Sequence, residues 1–201
     1  MQSLARITLV SLLAACQSVV PSAPDNEAVR GELREFGAHY GYDVGYMEQL
    51  LDDSRPAYDT FAAAMAMSMT REHLPVDAHY VACISALLAD DCGQCTQLSI
   101  RMALEEGVDR EVLRQLLEAP SELPTDLRLV HQLASQVVRG ENGDSKTVAQ
   151  LRKIYGDEAF GELTVNILGS RIYPALRRAM GAETACSPPS LDWEVPTSEV
   201  H

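Results

Sequence analysis

The stretch that decides the fold is Asp90–Gln97, which reads DDCGQCTQ and holds two cysteines three positions apart. Apolar residues recur at helical spacing before it, over 76–88, and after it, over 95–104. A spacing of three and four residues is typical of one face of an α-helix. The sequence therefore predicts two helices joined by a tight turn at Asp90 and Asp91, with Cys92 at the start of the second.

This placement gives the cysteine pair a chemical rationale. A helix N-terminus concentrates unpaired amide donors and the positive end of the dipole, which favours a thiolate on Cys92. Cys95 lies one turn further along, where the two sulfurs can meet in a disulfide, and Gly93 gives the backbone room. Cys95 also falls on the apolar stripe, where burial would raise its pKa. We expect Asp90 and Asp91 to be solvated in the turn.

Three interpretations of the pair remain open. A redox dithiol is favoured, because the spacing suits attack by one sulfur and resolution by the other. A structural metal site is weaker, because zinc needs four ligands and a second cysteine pair is absent. An inert structural pair is the third. The other cysteines, Cys16, Cys83 and Cys186, are too scattered for a disulfide framework, and core packing is the default for Cys83.

Composition limits the classes of function. The chain has 201 residues, 46% hydrophobic and 22% charged, which indicates one globular domain with a sizeable core. Its formal net charge of −13 argues against non-specific nucleic-acid binding, which needs Lys and Arg to neutralise phosphates. The same charge argues against an anionic membrane surface as an electrostatic partner. No apolar run approaches the length of a membrane-spanning helix.

The N-terminus has the layout of an export signal. Arg6 supplies a positive charge, residues 7–13 are apolar, and the stretch ends in Leu13-Ala14-Ala15-Cys16. This ending is similar to a bacterial lipoprotein signal, in which Cys16 would be lipidated and anchor the chain in the cell envelope. An over-extended start or a frayed helix is the alternative, with a cytoplasmic protein whose thiols would usually be reduced.

The rest of the pattern predicts an all-α fold of seven to nine helices, with no alternating β pattern. Gly37, Gly41 and Gly45 indicate a loop after the first helix, Asp109 an N-cap, and Pro174 a division of the last helix. We place a signal and tether at 1–25, one helical domain at 26–185 and an irregular tail at 186–201. The predicted helices are 26–36, 44–51, 55–67, 74–89, 92–106, 110–117, 126–139, 145–155 and 157–180.

Residues Leu74–Leu117 resemble the alkyl hydroperoxidase D / carboxymuconolactone decarboxylase family. A helix ends just before a CxxC, the next helix carries the run ALEEGV at 103–108, and a short helix with an acidic cap follows. The resemblance implies an all-helical fold, assembly as a homo-oligomer and no cofactor. It implies the peroxidase branch, because the decarboxylase branch lacks the cysteine pair.

The resemblance also assigns roles. It implies that Cys95 attacks a peroxide and Cys92 resolves the product, whereas the dipole argument favours Cys92 as the more acidic thiol, so both assignments stay open. The family's relay glutamate, twelve residues before the first cysteine, corresponds to Tyr80. Its two histidines correspond to Gln94 and Ser99, which cannot ionise usefully. Only the two cysteines match the family's pattern.

A rebuilt relay would need other residues. Tyr80 can donate a hydrogen bond, whereas His79, its neighbour, would point about 100° away around a helix. His131 lies on a predicted apolar helix face, where a satisfied core histidine is the alternative. The replacement candidates are His131, His73, Glu72 and Tyr80.

The sequence as a whole predicts a CxxC thiol oxidoreductase that reduces a small peroxide or exchanges disulfides with a protein, without metal or nucleic acid. The missing relay residues favour the alternative of a non-catalytic binding or assembly protein with the same fold.

Overall fold

The computed structural model describes residues 25–182 and 188–196, and these contain α-helices, two short 3₁₀ helices and no β-strand. The proposed signal with Cys16, and also Cys186, lie outside the described residues. The prediction of an all-α domain with seven to nine helices is confirmed. The helices are α1 (Asn26–Tyr40), α2 (Gly45–Asp53), α3 (Arg55–Met65), α4 (Val76–Ala89), α5 (Gly93–Glu105), α6 (Arg110–Glu118), α7 (Thr125–Val138), α8 (Ser145–Ser170) and α9 (Ile172–Ala179).

Helix α4 is the centre of the molecule. Its residues from Ala78 to Leu87 are all buried, because α5, α7 and α8 pack against it. The sequence analysis singled out one apolar stripe on this helix. The structure instead surrounds it, and small residues such as Ala78, Ala82 and Ala86 let neighbouring helices approach closely.

The helices form two groups. The main bundle, α4–α8, shares one large core of aliphatic side chains. The N-terminal layer, α1–α3, has a second core that is rich in tyrosine. Arg177 of α9 is 1% exposed and links α9 to the N-terminal layer. Its guanidinium donates a hydrogen bond to the Asp43 backbone carbonyl at 3.0 Å. It also lies 4.8 Å from the ring centroid of Tyr46.

The layer is joined to the bundle through the 3₁₀ turn Ala66–Ser68, which packs against α8. Gly169 makes this contact because a Cβ there would lie 2.5 Å from backbone atoms of Met67 and Ser68. Only glycine fits such a close approach of two backbones.

The first helix is longer than predicted. It continues to Tyr40, so the expected loop at Gly37 is wrong. Gly41 ends α1 in the left-handed conformation, with φ 56° and ψ 44°. Gly37 is helical, and a Cβ there would lie 2.7 Å from the Tyr42 carbonyl oxygen. Its role is therefore close packing rather than chain reversal.

The last helices divide at Gly156, where the sequence predicted the break, and again before α9 rather than at Pro174. Residues 145–170 are assigned as one helix with a non-helical Gly156 inside, at φ 86° and ψ 170°. Helix α9 then begins at Ile172, and Pro174 is its third residue, within the first turn where proline is tolerated.

Residues 188–196 have no regular secondary structure and lie across α5 and α6. Gln97 and Ser190 exchange two hydrogen bonds of 2.9 and 2.7 Å. Arg110 donates to the carbonyls of Leu191 and Trp193. The Trp193 ring lies 6.0 Å from that of Tyr40, so this segment covers the end of α1.

None of the helices in the described ranges is both long and apolar enough to cross a bilayer.

Candidate active site at the Cys92–Cys95 pair

The turn between α4 and α5 places the cysteine pair. Asp91 takes a positive φ of 52°, a conformation that Asp tolerates better than most residues. The amide of Cys92 then donates to the Leu87 carbonyl at 3.2 Å, which closes the end of α4. Cys92 becomes the N-cap of α5. The predicted helix–turn–helix is therefore present, and Cys92 stands where the sequence placed it.

Cys92 and Cys95 are joined by a disulfide, with sulfurs 2.05 Å and Cα atoms 5.3 Å apart. Both residues are buried, at 1% and 3% exposure. They are not equivalent, however. Both belong to one apolar cluster with Leu87 and Tyr173, but of the two cysteines Cys95 lines a cavity of about 470 Å³ and Cys92 does not.

This cavity lies between the main bundle and the N-terminal layer. Its walls come from α1–α5, the turn at 66–68, α8 and α9, and they are mainly apolar. Four methionines line it: Met47, Met65, Met69 and Met102. Aromatic side chains complete much of the remaining wall. The disulfide therefore faces an apolar space through one sulfur only.

His79 was expected to point away from the site, and that expectation is wrong. It lines the cavity together with Tyr80, and it is only 3% exposed. Its Nε2 lies 4.0 Å from Cys83 Sγ, and its Nδ1 has no hydrogen-bond partner among the described residues. Burial, followed by the charge of Arg71, lowers the pKa of His79 to about 4, so its imidazole is neutral at pH 7.

Tyr80 lines the cavity and donates a 2.8 Å hydrogen bond to Glu106 Oε1. Burial, and then this bond, raise the pKa of Tyr80. Glu106 is paired with Arg71 and its side chain is 37% exposed. The sequence analysis missed Glu106 as a site residue, although it lies in the ALEEGV run. A carboxylate is thus linked to the cavity wall through the Tyr80 hydroxyl group.

Ser99 and Gln94, the other two positions considered for a relay, lie in different pockets. Ser99 lines the cavity with Cys95, whereas Gln94 lines a smaller pocket of about 110 Å³ beside Arg101. Ser99 offers a hydroxyl group to the space in front of Cys95. Gln94 cannot act on that space.

His131, His73 and Glu72 are not brought to the cysteine pair. His131 hydrogen bonds to Ser85 at 2.9 Å between α7 and α4 and does not line the cavity. Its pKa is lowered by burial and then by Arg139. His73 lies on the surface, 2.9 Å from Glu162, and Glu72 is exposed.

Asp90 was expected to be solvated in the turn, but its carboxylate is paired with two arginines. Its carboxylate pairs with Arg171 at 3.1 Å and with Arg178 at 3.7 Å, both from the C-terminal part of the chain. Asp91 is exposed. No sequence-local signal identifies these partners, because they come from more than eighty residues away.

Cys83 is the one cysteine outside a disulfide among the described residues, and it lines the same cavity. Burial raises its pKa to about 11, so it is a thiol rather than a thiolate at pH 7. Within residues 25–182 and 188–196, no three His, Cys, Asp or Glu residues are grouped closely enough to hold a metal ion.

No family model, no curated protein and no solved structure matches this chain.

Proposed function

We propose that this protein is a thiol oxidoreductase in which Cys92 and Cys95 cycle between dithiol and disulfide and reduce a peroxide that enters the apolar cavity. One observation carries the proposal: the pair is bonded at the start of α5, and Cys95 forms part of the cavity wall.

Access favours Cys95 as the attacking sulfur, because Cys92 does not line the cavity. In the dithiol form, the Cys95 thiolate would attack one peroxide oxygen and the O–O bond would break. Cys95 becomes a sulfenic acid, and the leaving alkoxide or hydroxide takes up one proton. The Cys92 thiol then attacks the Cys95 sulfur, which forms the disulfide and releases water. A small dithiol reductant would supply the two electrons and two protons that restore both thiols.

The electrostatic setting supports this chemistry. Helix α5 has no side-chain hydrogen bond at its N-cap, so its first amides and its dipole remain available to a thiolate. Asp90, the nearest carboxylate in sequence, is compensated by Arg171 and Arg178. The repulsion that a lone Asp90 would exert on a thiolate is therefore reduced.

Tyr80 and Glu106 supply a route for the proton. The Tyr80 hydroxyl lies in the cavity wall and reaches Glu106, which is in contact with solvent. The raised pKa of Tyr80 keeps it protonated at pH 7, so it does not act as a base; its one hydrogen is donated to Glu106, and it would donate to a leaving oxygen only by giving up that bond.

Burial favours a small peroxide over a protein disulfide as the substrate. Both sulfurs are nearly inaccessible from outside, at 1% and 3% exposure. A cysteine on a partner protein would need the helices to separate, whereas a small molecule can enter the cavity.

The test is steady-state peroxide consumption with dithiothreitol as reductant. Cys95→Ser should abolish turnover, and Cys92→Ser should allow one attack per chain without turnover, detectable as a trapped sulfenic acid. Cys83→Ser is the matched control, because Cys83 lines the same cavity outside the pair. Wild-type turnover in both Cys92→Ser and Cys95→Ser would refute the proposal.

A second candidate function is ligand binding without redox turnover, with the disulfide as a structural link. The cavity's size favours it, since sites for small molecules are typically about 300–1,000 Å³. The pH dependence of thiol alkylation in the reduced protein separates the two. An ordinary thiol pKa at both cysteines, with no turnover, would favour binding alone.

Membership of the alkyl hydroperoxidase D-like family, assembly as a homo-oligomer and lipidation at Cys16 remain predictions. Light scattering of the purified protein would test assembly, and mass spectrometry of the mature N-terminus would test lipidation.

A further inference from the structure

Helix α9 contacts both the cysteine pair and the N-terminal layer, so it connects the two sides of the cavity. Near its start, Tyr173 packs against the cluster formed by Leu87, Cys92 and Cys95. Tyr173 and Cys95 also line the cavity together. A change in the space that the two sulfurs occupy would therefore reach the Tyr173 ring directly.

Two arginines hold α9 against the turn that precedes Cys92. Arg171, the residue before α9, pairs with the Asp90 carboxylate at 3.1 Å. Arg178, in the last turn of α9, donates a hydrogen bond to the Asp90 backbone carbonyl at 2.9 Å. These contacts fasten both ends of the helix to the turn that carries the cysteine pair.

The Tyr173 side chain also reaches the N-terminal layer. Its hydroxyl group lies 2.9 Å from Ser68 Oγ, in the 3₁₀ turn that joins the layer to the bundle. Ser68 gives its own hydrogen to the Met65 carbonyl, so Tyr173 is the donor. The Tyr173 ring also stands edge-on to the Phe61 ring of α3, with centroids 5.9 Å apart. One side chain thus contacts the cysteine cluster and two parts of the layer.

Further contacts along α9 carry a movement of Tyr173 into the layer. Leu176 and, at the C-cap, Met180 pack against the layer core, and Arg177 donates to the Asp43 carbonyl. Because these residues belong to one short helix, a displacement of Tyr173 reaches all of them. The layer forms one wall of the cavity, so such a displacement changes how tightly the cavity is closed.

Reduction changes the space that the sulfurs need. A dithiol breaks the S–S bond, each cysteine sulfur takes up one proton, and the dithiol becomes a disulfide. Two thiol sulfurs stand at van der Waals separation rather than at bonding distance, so the pair needs more room. In a closely packed cluster a larger group displaces its neighbours. Tyr173 is the neighbour that is linked to the layer.

We propose that α9 is a redox-sensitive coupling element: reduction of the Cys92–Cys95 disulfide displaces Tyr173, breaks its hydrogen bond to Ser68 and loosens the N-terminal layer. The dithiol form, which receives the peroxide, then has the more open cavity, and the disulfide form holds it closed. This deepens the function proposed above by giving the regulation of the same site, and it rests on that function in requiring a pair that changes redox state.

The test is amide hydrogen exchange, read by mass spectrometry, in the full chain as the disulfide and after dithiothreitol has raised the thiol count by two. We expect the amides of α2 and α3 to exchange about fivefold faster after reduction, the effect of one lost hydrogen bond. Equal exchange of α2 and α3 in the two forms would overturn the proposal.

Helix α7 is the internal reference, because it packs against α4 and α8 in the bundle. Its exchange should not change on reduction, since a disulfide that closes so short a loop restrains the unfolded chain little. Equal acceleration of α7 and of the layer would also overturn the proposal, because it would show a global loss of stability.

The variant Tyr173→Phe keeps the ring against the cysteine cluster and removes the hydroxyl group. Its α2 and α3 should exchange faster already in the disulfide form, so that reduction adds less than about twofold. Tyr155→Phe is the matched control, because Tyr155 is also partly buried but donates its 2.8 Å hydrogen bond to Asp126 within the bundle. It should keep the full difference between the two forms. An undiminished difference in Tyr173→Phe would exclude transmission through Tyr173 and overturn the proposal.

The two proposals can fail separately, because neither measurement uses a peroxide. Redox-dependent exchange of the layer without peroxide turnover would support the coupling element and refute the oxidoreductase. Peroxide turnover with equal exchange in both forms would do the reverse. The comparison of the two wild-type forms needs no variant, so it tests the coupling even if Tyr173→Phe does not fold.

Discussion

The main bundle and the N-terminal layer differ in how they bury their side chains. The bundle core consists mainly of alanine and branched aliphatic residues, many of them fully buried, and α5, α7 and α8 pack against α4. The eight buried residues of the layer core are three tyrosines, four aliphatic residues and Met47, and several of them line the cavity. Dense packing carries stability, whereas an incompletely filled interface can hold a ligand. The two regions thus divide stability and chemistry between them.

Helix α4 belongs to both regions. Ile84 and Val81 are fully buried in the bundle core, while His79, Tyr80 and Cys83 line the cavity. Three residues that line the cavity therefore lie on the helix that is buried along most of its length. A site on such an element is held more precisely than one on a loop.

The largest expected effect is a truncation in the bundle. Ile84→Ala removes a fully buried side chain and should lower the free energy of unfolding by about 2–5 kcal/mol. Leu33→Ala removes part of the cavity wall, where the side chain already borders empty space, and should cost less, near the lower end of that range. Urea unfolding measures both. Equal losses would mean that the layer is packed as tightly as the bundle.

The contact between the two regions comes next. Gly169→Ala puts a Cβ against the backbone of Met67 and Ser68 and should destabilise the protein by about 1–3 kcal/mol. It should also disturb the cavity, because Ser68 lines it. Gly161→Ala, in the same helix with nothing within 4 Å, is the control and should stabilise by about 0.4–1 kcal/mol. Thermal unfolding of both variants decides; a neutral Gly169→Ala would contradict the close approach.

Acid should weaken the bundle through Glu162. Burial alone would raise its pKa, but hydrogen bonds from the His73 ring and from the amides of His73 and Leu74 outweigh burial and lower the pKa from 4.5 to about 2. A lowered folded-state pKa contributes stability above pH 4.5, and this contribution is lost as the pH falls toward 2.

Glu162→Gln should therefore flatten the fall of stability between about pH 4.5 and pH 2, measured by urea midpoints across that range. Glu158→Gln is the control, because Glu158 is 80% exposed and 3.5 Å from His73. A Glu162→Gln profile as steep as that of the wild type would exclude Glu162 as the source.

The smallest expected effects are at helix caps. Asp144 caps α8 in the bundle and Asp25 caps α1 in the layer, each through a first-turn amide. Either change to alanine should cost about 1 kcal/mol. We expect Asp144→Ala to lower global stability, and Asp25→Ala mainly to speed amide exchange in α1. If Asp25→Ala lowers global stability as much, the two regions unfold as one unit.

Parts of the fold and site follow from local sequence. Helix α4 ends at Ala89 as predicted, although it begins at Val76, after the predicted start, and Asp109 caps α6 through the Glu111 amide as expected. Cys92 stands at the start of α5 with Cys95 one turn away. These features depend on residues within a few positions of one another, so spacing and capping rules reach them.

Other parts depend on distant residues. The sequence placed His79 away from the site, because a helical wheel assumes that one face is functional and the other is core. The cavity instead extends around α4 far enough to include adjacent residues. Glu106 meets Tyr80 from the end of α5, and Asp90 meets Arg171 across the fold. Sequence patterns that span one or two helical turns do not predict contacts between residues so far apart in the chain.

The sequence by itself determined the helices, the turn at Asp91 and the cysteine pair, because backbone hydrogen bonds, caps and side-chain periodicity act over one or two turns. The tertiary structure alone decided that Cys95 and not Cys92 lines the cavity, that His79 stands there with an unpaired nitrogen, and how large the space is. The physical reason is that a cavity is what remains between two packed groups of helices, and its shape is a property of their contact rather than of either segment.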